Sequence, residues 1–236
     1  DGLEHDEARP VRTPLLVKTR RDGARDAPDA GLDDGVANRD CTDPECLTYL
    51  APPGTRWAYH NGPYTLISEV IAEATGMSRN AFMAQELHEA VGTTGLYFAS
   101  GDYNLVMFST LRSMARFGLL CLNEGDWEGK AILTDKGYFQ EMVTPSNDLN
   151  PAYGYLWWLN GQDSYKPPGL QFDFPGALLP DAPADTYAAL GRNGQMIFVV
   201  PSQNRVVIRI GDNPDDSLVP VSYAQDIWTE FNKVLG

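Results

Sequence analysis

The sequence predicts an α+β fold, a partial arrangement in which a helical block is followed by an antiparallel sheet and a C-terminal helix. Three observations predict it. Apolar residues recur at helical spacing between residues 62 and 143. Short β-branched and aromatic runs divided by turn residues then take over. Last, Pro220 opens an amphipathic segment with Tyr223, Ile227, Trp228, Phe231 and Val234 on one face.

The elements follow in order. Residues 1–30 form an atypical arm. They carry Arg9, Arg12, Lys18, Arg20, Arg21 and Arg25 but no aromatic residue, and only Leu15–Thr19 reads as an edge strand. Residues 31–236 read as one domain, helical over about 62–143 and sheet-forming over about 150–236. Pro52-Pro53-Gly54-Thr55 is a turn. Asn61-Gly62-Pro63 starts a helix that Gly76 stops. A second helix runs from the Ser78 cap to about Val91, with Gly92 beyond it. A third runs from Ser109 or Thr110 to Asn123, and a fourth from Thr134 to about Val143. Residues 161–185, rich in Pro, Gly and Asp, read as a long surface loop. Strands are expected at Thr186–Leu190, Met196–Val200 and Arg205–Ile210, the last two joined as a hairpin by Pro201-Ser202-Gln203-Asn204.

Composition narrows the function. A net charge of −14 repels phosphate backbones, which argues against nucleic acid as a partner. No run approaches eighteen apolar residues, so no membrane span is expected, and no stretch reads as a signal peptide. Cys41 and Cys46 flank a turn-rich tetrapeptide. A disulfide there and two free thiols are equally good readings; the former slightly favours an exported chain, periplasmic or extracellular. Cys121, on an apolar helix face, reads as a small buried hydrophobe. Glu86, His88 and Glu89 have the wrong spacing for a metal, and neither metal nor cofactor is expected. His88 reads as solvated, as do the acidic stretches Asp33-Asp34 and Asp212 to Asp216.

Several segments, weak singly, gain specificity from their order. They are Pro53-Gly54-Thr55-Arg56-Trp57-Ala58-Tyr59-His60-Asn61, Ser113-Met114-Ala115-Arg116-Phe117-Gly118, Tyr153-Gly154-Tyr155-Leu156-Trp157-Trp158, and Gly191-Arg192-Asn193-Gly194-Gln195 with Phe198-Val199-Val200-Pro201. Together they resemble the serine hydrolases that include penicillin-binding proteins, class C β-lactamases and related esterases. The resemblance covers roughly residues 31–236. It implies hydrolysis of small-molecule esters, amides or peptide-like substrates by an acylated serine.

The resemblance also implies roles. Tyr59 and Asn61 match the Tyr-x-Asn motif, a proton-shuttling tyrosine and a substrate-touching amide. The plain structural alternative is a packed Tyr59 and an Asn61 that caps the helix. Arg192-Asn193-Gly194 falls where a Lys-Thr-Gly or His-x-Gly motif belongs. Arg192 would meet a substrate carboxylate, Gly194 would let substrate approach, and the Gln195 N–H would join the oxyanion hole. Trp157 and Trp158 are candidates to line the cleft, though one of the pair suits the core.

The nucleophile motif Ser-x-x-Lys is missing, and no residue can be named in its place. His60 as a base for Ser68 or Ser164 is a minor option. The chain therefore reads as an N-terminally truncated or rearranged relative. Three outcomes stay open: a hydrolase with an unrecognised nucleophile, a catalytically inactive binding module, or a fragment that self-associates through an exposed sheet edge to give a homo-oligomer.

Overall fold

A computed structural model describes residues 34–100, 103–212 and 214–235. The arm 1–30, the strand expected at Leu15–Thr19, and Asp33 lie outside the described residues.

The helices are α1 (Asn61–Thr65), α2 (Ile67–Thr75), α3 (Arg79–Met83), α4 (Glu89–Val91), α5 (Leu111–Leu122), α6 (Lys136–Met142) and α7 (Val221–Leu235). Their ends follow the local chemistry. Ser78 Oγ accepts from the Ala81 N–H, and Thr110 Oγ1 from the Ser113 N–H. Gly76 and Gly92 take the left-handed conformation that closes a helix. A π-helical turn, Ala84–His88, joins α3 to α4. The fourth helix is capped by Asp135 rather than Thr134.

Between α4 and α5 lies a hairpin that helical periodicity did not reveal. Strand β1 (Gly95–Ser100) pairs antiparallel with β2 (Tyr103–Ser109). His88 supports it. One of its ring nitrogens meets Thr93 Oγ1 at 2.8 Å and the other meets the Gly95 carbonyl at 3.1 Å, so this histidine is a structural bridge and not a solvated residue.

The central sheet holds β5 (Trp158–Leu159), β8 (Tyr187–Leu190), β9 (Met196–Val200) and β10 (Arg205–Arg209), in the antiparallel order β10-β9-β8-β5. Two small ribbons, β3 (Asp126–Trp127) with β4 (Lys130–Ala131) and β6 (Ser164–Tyr165) with β7 (Phe174–Pro175), complete the strands. Alternation along β9 divides the core. Met196, Phe198 and Val200 face Trp228 and Ala224 of α7. Ile197 and Val199 face the side covered by α5. Both faces are covered, so all of β9 is buried. On α7, Val234 is 81% exposed. The expected apolar face therefore ends one turn earlier, at Phe231.

Residues 161–185 do not form a surface loop. Leu178 and Leu179 are core residues, and the Asn160 side chain binds the segment at the Leu179 N–H (2.8 Å) and the Leu179 carbonyl (2.9 Å). The same segment anchors the chain's first described residues. Asp34, expected in solvent, is fully buried. It forms a bidentate pair with Arg39, 2.6 and 2.7 Å, and accepts from the Val36 and Gly169 amides. Arg39 also donates to the Tyr59 carbonyl, and Gln171 Nε2 donates to the Trp57 carbonyl at 2.6 Å. The extended stretch that carries Tyr59 is thus fixed from two sides.

Two predictions follow from this packing. A Cβ at Gly118 would lie 2.5 Å from Val206 Cγ1 and 3.2 Å from Ile197 Cγ2, so the glycine is what lets α5 sit on the sheet. Gly118→Ala should therefore lower stability by about 1–3 kcal/mol, read as a reduced urea midpoint. The second concerns acid. Burial pushes the Asp34 carboxyl up, but the hydrogen bonds from Arg39 and the two amides, with the Arg39 charge, outweigh it and hold the group below its ordinary 3.8. Its contribution is then complete above that pH and lost as the pH falls through the folded value. Asp34→Asn should cost about 3 kcal/mol at neutral pH, and the gap to the parent should shrink below about pH 4 in urea titrations.

Candidate active site

The site begins where the extended stretch 57–60 turns into α1. His60 holds the cap position without a side-chain cap bond. Asn61 does not cap the helix either; its Nδ2 donates to Asp40 Oδ1 at 2.8 Å. The register is tight. The Gly62 N–H donates to the Arg39 carbonyl at 2.8 Å, and a Cβ on Gly62 would lie 2.3 Å from the Cys41 carbonyl oxygen. Cys41 and Cys46 are joined as a disulfide. The small loop it closes thus packs directly against the start of α1, and Asp40 precedes it.

The second part is the turn 191–195, between β8 and β9. The Gly191 N–H donates to the Gln195 carbonyl at 2.8 Å. Asn193 and Gly194 both take positive φ, 61° and 73°. A Cβ on Gly194 would meet Arg209 Nη1 at 2.6 Å and Pro214 Cδ at 2.9 Å. The space freed by this glycine is therefore filled by the protein's own Arg209 and Pro214. Arg209 braces the turn, donating to the Gly194 carbonyl at 2.9 Å and stacking over Tyr223. The Gln195 side chain donates to the Gly211 carbonyl (2.6 Å) and accepts from the Gly211 N–H (3.1 Å), tying the turn to the end of β10.

These parts meet across a cleft of about 700 Å³. Tyr59, Asn61, Arg192, Asn193 and Gln195 line it, together with Asp40 and the hairpin residues Val106–Ser109. Arg192 Nη1 stands 3.9 Å from Asp40 Oδ2. The cation expected to meet a substrate carboxylate therefore already faces one. Sequence reading passed over Asp40, Tyr64 and the hairpin wall. Tyr64 had a signal, since it falls one turn beyond Asn61 on the same helix face. Asp40 had none.

A second cavity, about 300 Å³, adjoins the first and shares Tyr59 and Asn61 with it. It is aromatic. The ring of Trp158 lies 6.0 Å from Tyr59, nearly parallel, and 4.8 Å from Tyr153, edge on. Trp157 is not in the cleft. Adjacent residues of an extended chain point to opposite faces, so Trp157 enters the other core cluster and packs on Phe117 and Tyr187.

The electrostatics do not favour proton acceptance by Tyr59. Burial, then the neighbouring Tyr64 and Asp40, push its hydroxyl up to about 12, and Arg39 offsets only part of this. The Arg39 guanidinium is engaged with Asp34, and among the described residues no lysine lines the cleft. Burial lowers His60 below its ordinary value. Neither proposed serine partners it: Ser68 Oγ accepts from Arg79 at 2.6 Å, and Ser164 sits in β6. Cys121 is buried, and its thiol is pushed up to about 12, so it is no nucleophile. Among the described residues, no group of three or more His, Cys, Asp or Glu side chains is placed to hold a metal ion. No helix among them is long and apolar enough to cross a membrane.

Comparison with known proteins adds the family. Solved structures resemble this fold, among them the following two. A Bacillus anthracis protein assigned as a 6-aminohexanoate-dimer hydrolase superposes with a TM-score of 0.58 at 22% identity, over 79% of this chain and 47% of its own. A protein of Bacteroides dorei DSM 17855 assigned as a β-lactamase gives 0.56 at 14% identity, over 80% of this chain and 61% of its own. The chain thus spans about half to three-fifths of the length of these structures. No curated protein matches it. The Beta-lactamase family model matches residues 29–211, a span that takes in the Tyr59–Asn61 motif, the 191–195 turn and the four strands of the central sheet, and the chain belongs to that family.

Proposed function

We propose that this chain forms the ligand-holding cleft of a serine-hydrolase-type protein and takes small-molecule esters, amides or peptide-like ligands. One observation carries the reading. Folding brings Tyr59 and Asn61 against the turn at Arg192–Gln195, more than a hundred residues later, across one open cleft with an aromatic annex. In this reading the Gln195 N–H is the oxyanion donor, Asn61 orients the ligand, and Trp158 with Tyr153 receives its apolar part.

A second reading, binding without turnover, is favoured by a specific fact. The sequence has no Ser-x-x-Lys, and Tyr59 is held protonated. A serine hydroxyl without a base beside it is a poor nucleophile. The chain as given should therefore bind esters and hydrolyse them at close to the buffer rate.

The test is hydrolysis of a chromogenic short-chain ester by the parent and by Tyr59→Phe, with intact mass after a fluorophosphonate probe. Ester binding is followed separately by quenching of tryptophan fluorescence. The expected result is saturable quenching with no adduct and no turnover above buffer. An adduct, with turnover falling about a hundredfold or more in Tyr59→Phe, would instead establish catalysis by an unrecognised nucleophile. Absence of saturable binding by any ester or amide would sink the cleft reading itself.

A further inference from the structure

Asp40 touches both halves of the cleft's motif set. Its Oδ1 accepts from the Asn61 amide at 2.8 Å, and its Oδ2 lies 3.9 Å from Arg192 Nη1. Asp40 is mostly buried, at 22% exposure, while Arg192 is about half exposed. Its backbone is held on both sides. Gly62 binds the Arg39 carbonyl and leaves no room beside the Cys41 carbonyl, and the disulfide fixes the loop that follows. Asp40 and Arg192 also line a polar groove of about 700 Å³ under that loop, so the pair stands between the two cavities.

The resemblance would have Arg192 and Asn61 greet the ligand, the first through a carboxylate and the second through an amide hydrogen bond. Both groups already face the same internal carboxylate. A ligand carboxylate arriving at Arg192 would come within a few ångströms of Asp40. Like charges at such a separation repel strongly in a partly desolvated site. The newcomer would also have to compete with Asp40 for the Asn61 amide.

We propose that Asp40 sets the charge specificity of this cleft: it supplies the anion that Asn61 and Arg192 would otherwise take from a ligand, so the cleft accepts neutral esters and amides and rejects those bearing a carboxylate at that end. The inference rests on the ligand-holding role proposed above. Asp40 acts here by charge and position and takes no chemical step.

The experiment measures dissociation constants for two probes of nearly equal size, N-acetylglycine methyl ester and N-acetylglycine. It uses the intact chain and the Asp40→Asn and Asp40→Glu variants, with thermal melts by circular dichroism to show that each is folded. The parent should bind the neutral ester at least about tenfold more tightly than the anion. Asp40→Asn should abolish most of that preference by strengthening anion binding, with the ester little changed. Asp40→Glu keeps the charge and should keep the preference. Adding Arg192→Gln to Asp40→Asn should remove the gain for the anion. Equal binding of both probes by the parent would overturn the role of Asp40 while leaving the cleft intact. So would a uniform loss of both probes in Asp40→Asn. Failure of both probes to bind any folded version would overturn the cleft reading and this inference together, and failure of the anion alone to bind Asp40→Asn would overturn this inference only.

Discussion

The pair between Asp34 and Arg39 anchors the geometry on which the cleft depends. Two charges removed from water destabilise a fold unless their remaining hydrogen-bonding capacity is met. Here it is met. The carboxylate takes the guanidinium fork and two backbone amides, and the guanidinium also takes the Tyr59 carbonyl. One amide comes from Gly169, far along the chain, so the contact joins the first described residues to the segment before the last strands. The stretch 57–60 inherits its position from this junction. The start of α1, and with it Asn61, inherits its position from that stretch.

The sheet fixes the other half. Its strands alternate, so each residue belongs either to the α7 face or to the α5 face. The same rule sends Trp158 toward Tyr59 and Trp157 away from it. Gly118 lets α5 lie close on β9 and β10. Arg209 and Gln195 then hold the 191–195 turn at the sheet's end by its own carbonyls and by Gly211. The turn is rigid because its polar groups are satisfied by neighbours, and its glycine accommodates those neighbours.

The chemistry reflects how the groups engage one another. Asn61, Asp40 and Arg192 form a connected polar row across the cleft. Tyr59 keeps its proton because burial disfavours the phenolate and the neighbouring Tyr64 and Asp40 add to it, with Arg39 offsetting only part.

Much of this was legible from local pattern. Helix ends followed caps and glycines, β9 and β10 followed their β-branched runs, and the family motifs stood out by order and spacing. The hairpin β1–β2 escaped because residues 62–143 read as one helical block, although Ser100-Gly101-Asp102 is a turn signal between two apolar and aromatic runs. Residues 161–185 misled because Pro, Gly and Asp indicate irregular backbone, and irregular backbone can still carry Leu178 and Leu179 into a core. By itself, then, the sequence determined the α+β class, most helix and strand positions, and the family. Those features depend on spacing and on neighbours in the chain. Only the tertiary structure decided that Asp34 is buried, that Trp157 leaves the cleft while Trp158 stays, and that Asp40 stands between Asn61 and Arg192. These depend on contacts between residues distant in sequence, where burial and charge pairing are settled by what the fold brings near.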